Sequence, residues 1–352
     1  MYFEALRIIA AALVIFNHTP GYLLYQTTSG ASQIAFLVCS LFTRVNVPLF
    51  FMISGALLLR KTENYEVVLK KRAFRIILLV VLFEAAMFYM RAIQAFFVGK
   101  EVHSNVLEFL LGVVTGTVNG VESYWYLYAY LGILMILPFL QRAVKEMTEK
   151  ECCVLIGLHF LIWSLVPLAN TIFFASLKDG IRISENFSVP LATIKSYFFF
   201  IIGYYIDAKN DILQIRKKDI AVLLSAAALG ILISSICTLE EGIRTGNFTQ
   251  NYMQMFDYLS AIAVFILIKR AFLLKSISDK YYHILCFTGS LTLGVYLLDP
   301  FLQRMLYPLY SSYMTNSVST FALSIGWVVI SMLLGGVITM VLKKFPLLGK
   351  LI

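Results

Sequence analysis

The sequence predicts an all-α protein, a polytopic bundle of about ten membrane-spanning helices. Of the 352 residues, 60% are hydrophobic and only 14% are charged, whereas soluble domains carry roughly 25% charged residues. The mean hydropathy is +0.81. The hydrophobic residues also gather in long runs, and about 20 apolar residues are enough for a helix to cross the hydrocarbon core of a bilayer.

Ten apolar runs follow one another along the chain, and each predicts one span. They cover approximately residues 2–24, 34–59, 73–98, 124–141, 152–176, 191–207, 219–239, 251–269, 283–307 and 317–342. Between the third and fourth runs, the connection 99–123 contains a shorter apolar stretch, Val106 to Val114, which predicts a re-entrant or interfacial helix. No repeat and no long linker interrupts the series, so residues 1–352 are predicted to form a single domain.

Cations mark one side of the predicted bundle. The connections after the second, fourth, sixth, eighth and tenth runs hold 20 lysines and arginines. The connections on the other side hold four, Lys100, Lys178, Arg182 and Arg244. The positive-inside rule therefore predicts that both ends of the chain are cytoplasmic and that the 99–123 loop is external. Because topology accounts for the net charge of +9, no nucleic-acid partner is expected.

The cysteines do not form a recognisable ligand or disulfide pattern. The five, Cys39, Cys152, Cys153, Cys237 and Cys286, lie in or beside apolar runs without the spacing of metal ligands. They are predicted to be packing residues, so neither a disulfide nor a metal site is expected.

The first apolar run carries three ionisable residues, Glu4, Arg7 and His18. Arg7 and His18 are eleven positions apart, which at about 100° per residue returns them to one helix face roughly 16 Å apart. Glu4 shares that face. Because an ionisable group inside a bilayer is costly unless it is paired or lines a polar cavity, this face is a candidate functional site. The structural alternative is that Glu4 and Arg7 snorkel to the near interface while His18 caps the far end of the helix.

The second run carries an arginine near a proline, and the third run begins with a pair of arginines. In the second run Pro48 follows Arg44 and breaks the helical hydrogen-bond pattern, and Ser54 and Gly55 allow a close backbone approach. A kink beside an arginine predicts a cavity wall, and the structural alternative is that the proline and the small residues only tune helix packing. At the start of the third run, Arg72 and Arg75 lie one turn apart. Two guanidinium groups in this arrangement suit phosphate, although a positive-inside lipid anchor has the same composition.

Five cations, Arg7, Arg44, Arg91, Lys195 and Arg304, lie within or at the edges of the runs, which predicts a polar interior or an anionic ligand. Glu84 is seven residues before Arg91, and we expect these two to form a buried structural pair. Asp299, five residues before Arg304, is either its counter-charge or part of a polar site.

The fourth run opens with a dense aromatic segment, Ser123 to Tyr130, which includes Tyr124 and Trp125. Aromatic residues at a membrane boundary commonly form an interfacial belt. A platform on which a sugar or an acyl group stacks is the functional alternative.

Together these motifs resemble the acyltransferase-3 family of integral membrane O-acyltransferases. The resemblance rests on the Arg7–His18 spacing, the segment from Arg44 to Gly55, Arg72-x-x-Arg75, the Trp125 region and the Gly-Ser-x-Thr-x-Gly-x-Tyr stretch that begins at Gly289. It extends over essentially all ten runs. Members of that family move acetyl or other short acyl groups from cytoplasmic acyl-CoA to extracytoplasmic acceptors such as cell-wall and surface polysaccharides. The family includes the membrane domains of vancomycin-resistance serine racemases.

The resemblance implies roles for the matched residues. His18 corresponds to the catalytic histidine and Arg7 to its partner arginine, and Glu4, where the family commonly has Asp, is placed to neutralise Arg7. Arg72 and Arg75 correspond to the basic pair that holds the CoA donor. Arg44 is assigned to the same donor site.

Three further residues, Tyr124, Trp125 and Asp299, are assigned to the acceptor substrate. Two of them depart from the family pattern, because the family commonly has His where Tyr124 stands and often has His where Asp299 stands. These departures place the catalysis on His18.

The resemblance thus implies an acetyl-CoA-dependent O-acyltransferase. Acetyl-CoA enters as the donor substrate, no permanently bound cofactor is expected, and His18 acts as a general base or as a transient acyl carrier. The expected partners are acetyl-CoA, an extracytoplasmic carbohydrate or cell-wall acceptor and the lipid bilayer. The protein is expected to be a multi-pass protein of the cell membrane, in particular of a bacterial cytoplasmic membrane.

Two other classes of function share some of these features. A secondary transporter of an anionic or sugar-linked solute also carries interior cations, but it commonly shows internal symmetry between two halves, which this sequence lacks. A membrane sensor or anchor for a partner protein needs no donor site. Binding of acetyl-CoA to the purified protein separates the enzyme from both alternatives.

Overall fold

The computed structural model of the chain describes residues 1–100, 105–173, 183–184, 189–209, 211–248, 250–275 and 278–352. These residues are mostly helical and contain no strand. The α-helices are α1 (Tyr2–Asn17), α2 (Gly30–Thr43), α3 (Asn46–Leu58), α4 (Tyr65–Val67), α5 (Phe74–Phe97), α6 (Val106–Thr115), α7 (Trp125–Glu146), α8 (Glu149–Phe160), α9 (Val166–Phe173), α10 (Pro190–Thr193), α11 (Lys195–Tyr204), α12 (Lys217–Thr245), α13 (Gln250–Met253), α14 (Asp257–Leu274), α15 (Asp279–Ser311), α16 (Ser317–Leu342) and α17 (Pro346–Leu351). The predicted all-α class is confirmed.

The number of spans differs from the prediction. In the part of the chain that the structure describes, seven continuous helical segments are long and apolar enough to cross a membrane, or eight if one bent pair counts as a span. The sixth predicted span corresponds to α11, which has only 10 residues. The eighth corresponds to α14, whose 18 residues include Asp257, Lys269 and Arg270. Ten spans were therefore too many for the described residues, because an apolar run does not reveal how many of its residues join one continuous helix.

The first predicted span is the bent pair. Helix α1 ends at Asn17, and a 3₁₀ segment, Pro20–Gln26, follows at an angle of 58°. Thr19 has an extended backbone conformation. A proline disfavours the helical conformation in the residue before it, so Pro20 explains why the helix ends here. The expectation of one continuous helix over residues 2–24 was wrong.

The helices group into two compact units that alternate along the chain. Unit 1 comprises residues 1–61, 141–290 and 313–329, and unit 2 comprises residues 62–140, 291–312 and 330–352. The prediction of a single domain stays a prediction. Two outer-loop cations of the topology argument, Lys178 and Arg182, lie outside the described residues.

In unit 1, α3 packs directly against α11 through two glycines. A Cβ atom added to Gly55 would overlap the carbonyl group of Phe200, and one added to Gly203 would overlap the backbone of Met52. Small residues allow helix backbones to approach closely where lipid provides no hydrophobic drive. The close approach predicted at Gly55 is confirmed, and the break between α2 and α3 falls just before Pro48.

In unit 2, the expected short helix of the 99–123 loop is present as α6. The Asn105 side chain accepts a hydrogen bond from the amide of Leu107 and caps its start, and Gly116 ends it in the left-handed conformation. The hydroxyl of Tyr128 in α7 donates to the carbonyl of Val113 over 2.7 Å. These contacts hold α6 against α7.

Candidate active site

The first part of the candidate site is an ion pair within α1. Arg7 donates to the Glu4 carboxylate over 2.5 Å, and both side chains are partly buried. A Cβ atom added to Gly289 would overlap the Glu4 side chain, so only glycine leaves room for this carboxylate at that point of α15. Gly289 is the first glycine of the Gly-Ser-x-Thr-x-Gly stretch. The structure therefore connects two motifs that are 285 positions apart in the sequence.

A cavity of about 660 Å³ lies beside α1 in unit 1. Its lining includes Ile8, which follows Arg7, Thr288, which precedes Gly289, and the cation Lys275. The lining is mostly apolar. This cavity has the size to admit a narrow, flexible group beside Ile8 of α1.

His18 lies at the opposite end of α1, immediately after the last helical residue. Its amide donates to the carbonyl of Ile15 over 3.1 Å, the amide of Thr19 donates to the carbonyl of Phe16 over 2.9 Å, and the His18 side chain is exposed. The neighbouring amide oxygen of Asn17 is buried and has no hydrogen-bond partner among the described residues. A buried acceptor of this kind requires a partner, so the end of α1 combines an exposed imidazole with an unsatisfied polar atom.

Unit 1 holds the 3₁₀ segment after His18 at several points. The amide of Gly21 donates to the Ser324 hydroxyl over 3.0 Å, and the Ser40 hydroxyl donates to the carbonyl of Tyr22 over 2.6 Å. The guanidinium of Arg44 donates to the Tyr22 hydroxyl over 2.6 Å. These bonds fix the chain direction just beyond His18, and they place Arg44 beside the 3₁₀ segment.

Arg72 and Arg75, the two residues of unit 2 that are predicted to bind the CoA donor, contact different partners within the protein. Arg72 donates two hydrogen bonds to the Glu63 carboxylate, at 2.8 and 2.6 Å. Arg75 donates to the carbonyl of Leu351 over 2.6 Å. Arg72 belongs to a π-helical turn, Val68–Ala73, whereas Arg75 belongs to α5. A phosphate that binds Arg72 must therefore compete with Glu63.

The predicted acceptor residues differ in exposure. Trp125 at the start of α7 is 55% exposed, whereas Tyr124 and Asp299 are buried. The Tyr124 hydroxyl donates to the carbonyl of Leu297. Asp299 accepts a hydrogen bond from the Gln303 amide over 2.9 Å.

The predicted pair between Glu84 and Arg91 was wrong. Glu84 is buried, and both of its carboxylate oxygens lie 3.0 Å from the Tyr128 hydroxyl of α7. Seven residues along a helix amount to about 10 Å, which is too far for a direct ion pair. Arg91 instead lines a cavity of unit 2.

A cluster of ionisable residues that the sequence did not predict surrounds Asp207. We call it the Asp207 cluster and define it as Tyr2, Arg60, Asp207 and Lys269. Lys269 lies 2.8 Å from the Asp207 carboxylate, and Arg60 and the Tyr2 hydroxyl also bind that carboxylate. Asp207 lies in a π-helical turn, Tyr205–Lys209, a feature that often marks functional or strained positions. An acidic residue inside an apolar run was the available signal.

Lys195 also has a carboxylate partner that its sequence position did not reveal. Its ammonium lies 2.8 Å from Asp257 and 4.5 Å from the ring centre of Trp163. The ion pair and the cation–π contact together explain how α11 accommodates this charge.

The helices and their interior ionisable groups define a multi-pass integral membrane protein. The chain belongs to the acyltransferase-3 family, since the model of this family, described as an acyltransferase domain, matches residues 2–341. Comparison with curated proteins and with solved structures gives no match. The protein is therefore a membrane acyltransferase.

Proposed function

We propose that this acyltransferase moves an acetyl or other short acyl group from cytoplasmic acyl-CoA to a hydroxyl group of an extracytoplasmic acceptor, a glycan of the cell surface. The observation that carries the proposal is the exposed His18 at the end of α1, where the first span breaks. A break in a spanning helix is tolerated where it lines a polar cavity. The enzyme would work in a bacterial cytoplasmic membrane.

The donor would enter from the cytoplasmic side. Arg72 and Arg75 would hold the phosphates of CoA through charge-assisted hydrogen bonds, and Arg44 would contact the donor farther along its length. The pantetheine arm would pass Arg7, whose charge Glu4 offsets. The cavity of about 660 Å³ beside Ile8 supports access to this part of α1.

His18 would carry out the chemistry. In the direct route, the imidazole removes the proton of the acceptor hydroxyl, the oxygen attacks the thioester carbonyl, an ester C–O bond forms and the C–S bond breaks. The proton then passes from the imidazolium to the CoA thiolate. In the second route, an imidazole nitrogen attacks the thioester carbonyl, a C–N bond forms as the C–S bond breaks, and CoA leaves as the thiol with the imidazole proton. The acceptor hydroxyl then attacks this acyl-imidazole, the ester C–O bond forms as the C–N bond breaks, and the hydroxyl proton returns to the imidazole.

The unpartnered Asn17 oxygen would orient the acceptor by taking a hydrogen bond from one of its hydroxyl groups. Of the three predicted acceptor residues, the exposed Trp125 is the one that would contact a glycan, because Tyr124 and Asp299 are buried. Exposed aromatic rings such as Trp125 stack well on the apolar faces of sugars.

The test is to compare acylated products on cell-surface glycans from cells that produce the protein and from cells that lack it. We expect an ester-linked acyl group whose label derives from isotopically labelled acetyl-CoA. Purified protein should also bind acetyl-CoA. Glycans without a difference in acylation would contradict the proposed acceptor class, and absence of acetyl-CoA binding would contradict the proposed donor. Mass spectrometry of rapidly quenched protein would distinguish the two routes, because only the second leaves an acyl group on His18.

A further inference from the structure

Unit 2 contains a second large cavity, separate from the residues assigned above. Its volume is about 1140 Å³. It is lined by the last part of α5, by α6 with the segment that follows it, and by Arg304 of α15. We call it the outer basic pocket and define it by its three cations, Arg91, Lys100 and Arg304.

The pocket carries an excess of positive charge. Among the described residues, its lining contains three cations and one carboxylate, that of Glu108. Arg304 donates to the neutral amide oxygen of Gln94 over 2.6 Å, and it is close enough to Arg91 for the two guanidinium groups to repel each other. Among the described residues, neither arginine has a carboxylate within ion-pair distance.

The environment of Arg91 agrees with this charge balance. Its guanidinium lies beside Gly120, where an added Cβ atom would be 3.5 Å from it. The carboxylate of Glu122, the nearest acidic residue along that segment, accepts a hydrogen bond from the amide of Gly120 over 2.8 Å. Two arginines that remain close together without a counter-ion favour an anionic ligand between them.

The position of the pocket relative to the membrane indicates what kind of anion it binds. Arg91 is about 24 Å along α5 from Arg75, which lies in the cation-rich segment predicted to be cytoplasmic. Arg304 is about 36 Å along α15 from Lys280, which belongs to another such segment. These distances compare with a hydrocarbon thickness of about 30 Å, so both arginines lie near the opposite headgroup level.

The rest of the lining combines polar side chains, such as those of Gln94 and Asn119, with apolar ones, several of which are exposed. Phe97 is 81% exposed, and Leu107 and Leu111 of α6 are also exposed. The pocket therefore combines cations for a headgroup with side chains that suit an acyl or isoprenoid chain. Helix α6 beside it is almost entirely apolar, and an apolar segment too short to span is typical of a re-entrant or interfacial position.

We propose that the outer basic pocket binds the phosphate headgroup of a membrane lipid. Arg91 and Arg304 hold the phosphate oxygens, and Lys100 adds to the local positive potential. The aromatic and aliphatic side chains of α5 and α6 contact the upper part of the lipid chain. The lipid is either an anionic phospholipid of the bilayer or an isoprenoid phosphate that carries a glycan. The proposal does not depend on the catalytic role of His18.

The test measures lipid binding by native mass spectrometry of the purified full-length protein. The probes are phosphatidylglycerol, a polyprenyl phosphate, diacylglycerol as a lipid without phosphate, and inorganic phosphate. We expect the two phospholipid-type probes to bind and diacylglycerol not to bind. Arg91→Gln or Arg304→Gln should each weaken binding about three- to tenfold, since exposed charges contribute less than buried ones, and Arg91→Lys should retain most of it.

Arg244→Gln is the matched control. Arg244 also belongs to the predicted outer side, but it lies in unit 1 and is paired with Glu240 at 3.7 Å. This variant should bind the lipids as the parent does. A polyprenyl phosphate that binds tenfold more tightly than phosphatidylglycerol identifies a carrier lipid, and equal binding identifies bilayer phospholipid.

Three results would overturn the proposal. They are unchanged binding in the double variant Arg91→Gln/Arg304→Gln, equal binding of diacylglycerol, and binding of inorganic phosphate with no binding of either lipid. Melting curves of every variant show whether a loss of binding reflects unfolding instead. If the double variant is unstable, the comparison of Arg91→Gln with Arg91→Lys decides the question, because both truncate the same contacts and only one keeps the charge.

Discussion

The Asp207 cluster in unit 1 and the outer basic pocket in unit 2 handle positive charge in opposite ways. In the cluster, the cations Lys269 and Arg60 converge on one carboxylate, whose side chain is 0% exposed. In the pocket, Arg91 and Arg304 face open space and share no carboxylate among the described residues. The cluster closes on itself, whereas the pocket remains open.

This difference distinguishes charged residues that stabilise the fold from charged residues that are available to bind a ligand. The Asp207 cluster joins Tyr2 at the start of α1, Arg60 after α3, the π-helical turn after α11, and α14. A buried charge with its partner intact is tolerated, but a buried charge that loses its partner is costly. Unpaired cations at a water-accessible surface have no such cost. The two regions therefore predict different responses to neutral substitutions.

The largest effect is expected from neither region. His18→Ala should abolish acyl transfer, since loss of a general base lowers the rate about 10²- to 10⁴-fold and loss of an acyl carrier lowers it further. The fold should remain, because the side chain is exposed. The measurement is the initial rate of glycan acylation together with a melting curve. If product accumulates at the parental rate, His18 only ends helix α1.

The second prediction tests whether the Asp207 cluster stabilises the fold. Asp207→Asn leaves Lys269, whose side chain is 10% exposed, without its counter-charge, and should cost about 3–5 kcal/mol of stability. Thermal unfolding in detergent measures it. The control is Asp219→Asn, which removes an exposed carboxylate from its pair with Arg216 and should leave the melting temperature unchanged. Equal melting temperatures for both variants would contradict the comparison.

The third prediction tests whether Arg72 and Arg75 support the fold or bind a ligand. If they bind CoA phosphates, replacing either by Ala should raise the dissociation constant of acetyl-CoA about ten- to hundredfold, equivalent to about 1.5–3 kcal/mol. It should also flatten the salt dependence, since the Debye length is about 8–10 Å at the ionic strengths used. Titrations at two salt concentrations measure both.

Glu63→Gln is the informative companion to those variants. It weakens the competitor for Arg72, so acetyl-CoA should bind as tightly as in the parent or more tightly. His18→Ala should leave the affinity unchanged. Unchanged affinity in the Arg72→Ala/Arg75→Ala double variant would show that this pair anchors the helix and does not bind the donor.

The smallest effect is expected at the outer basic pocket. Arg91→Gln and Arg304→Gln should leave the melting temperature unchanged in lipid-free detergent, because neither arginine has a carboxylate partner there among the described residues. Relief of the repulsion between them should even favour the double variant slightly. A fall in melting temperature comparable with that of Asp207→Asn would show that the pocket is structural, and the distinction between the two regions would fail.

The features that could be predicted from the sequence are those that depend on local composition. Apolar runs predicted the helical class, the short helix α6, and the close approach at Gly55, because each depends on residues within one or two turns. The family resemblance also came from short motifs in order. Pro20 was present as a signal for the break after His18, although the length of the apolar run concealed it.

Which charges meet could not be predicted from the sequence, because it depends on how distant helices pack. The four members of the Asp207 cluster come from positions 2, 60, 207 and 269, and Gly289 makes room for Glu4 across an equally long separation. Helical periodicity predicts which face a residue occupies, but not which helix packs against that face. The exposed position of His18, the closed cluster and the open pocket therefore follow from how the helices pack, since packing determines whether a buried charge finds a partner.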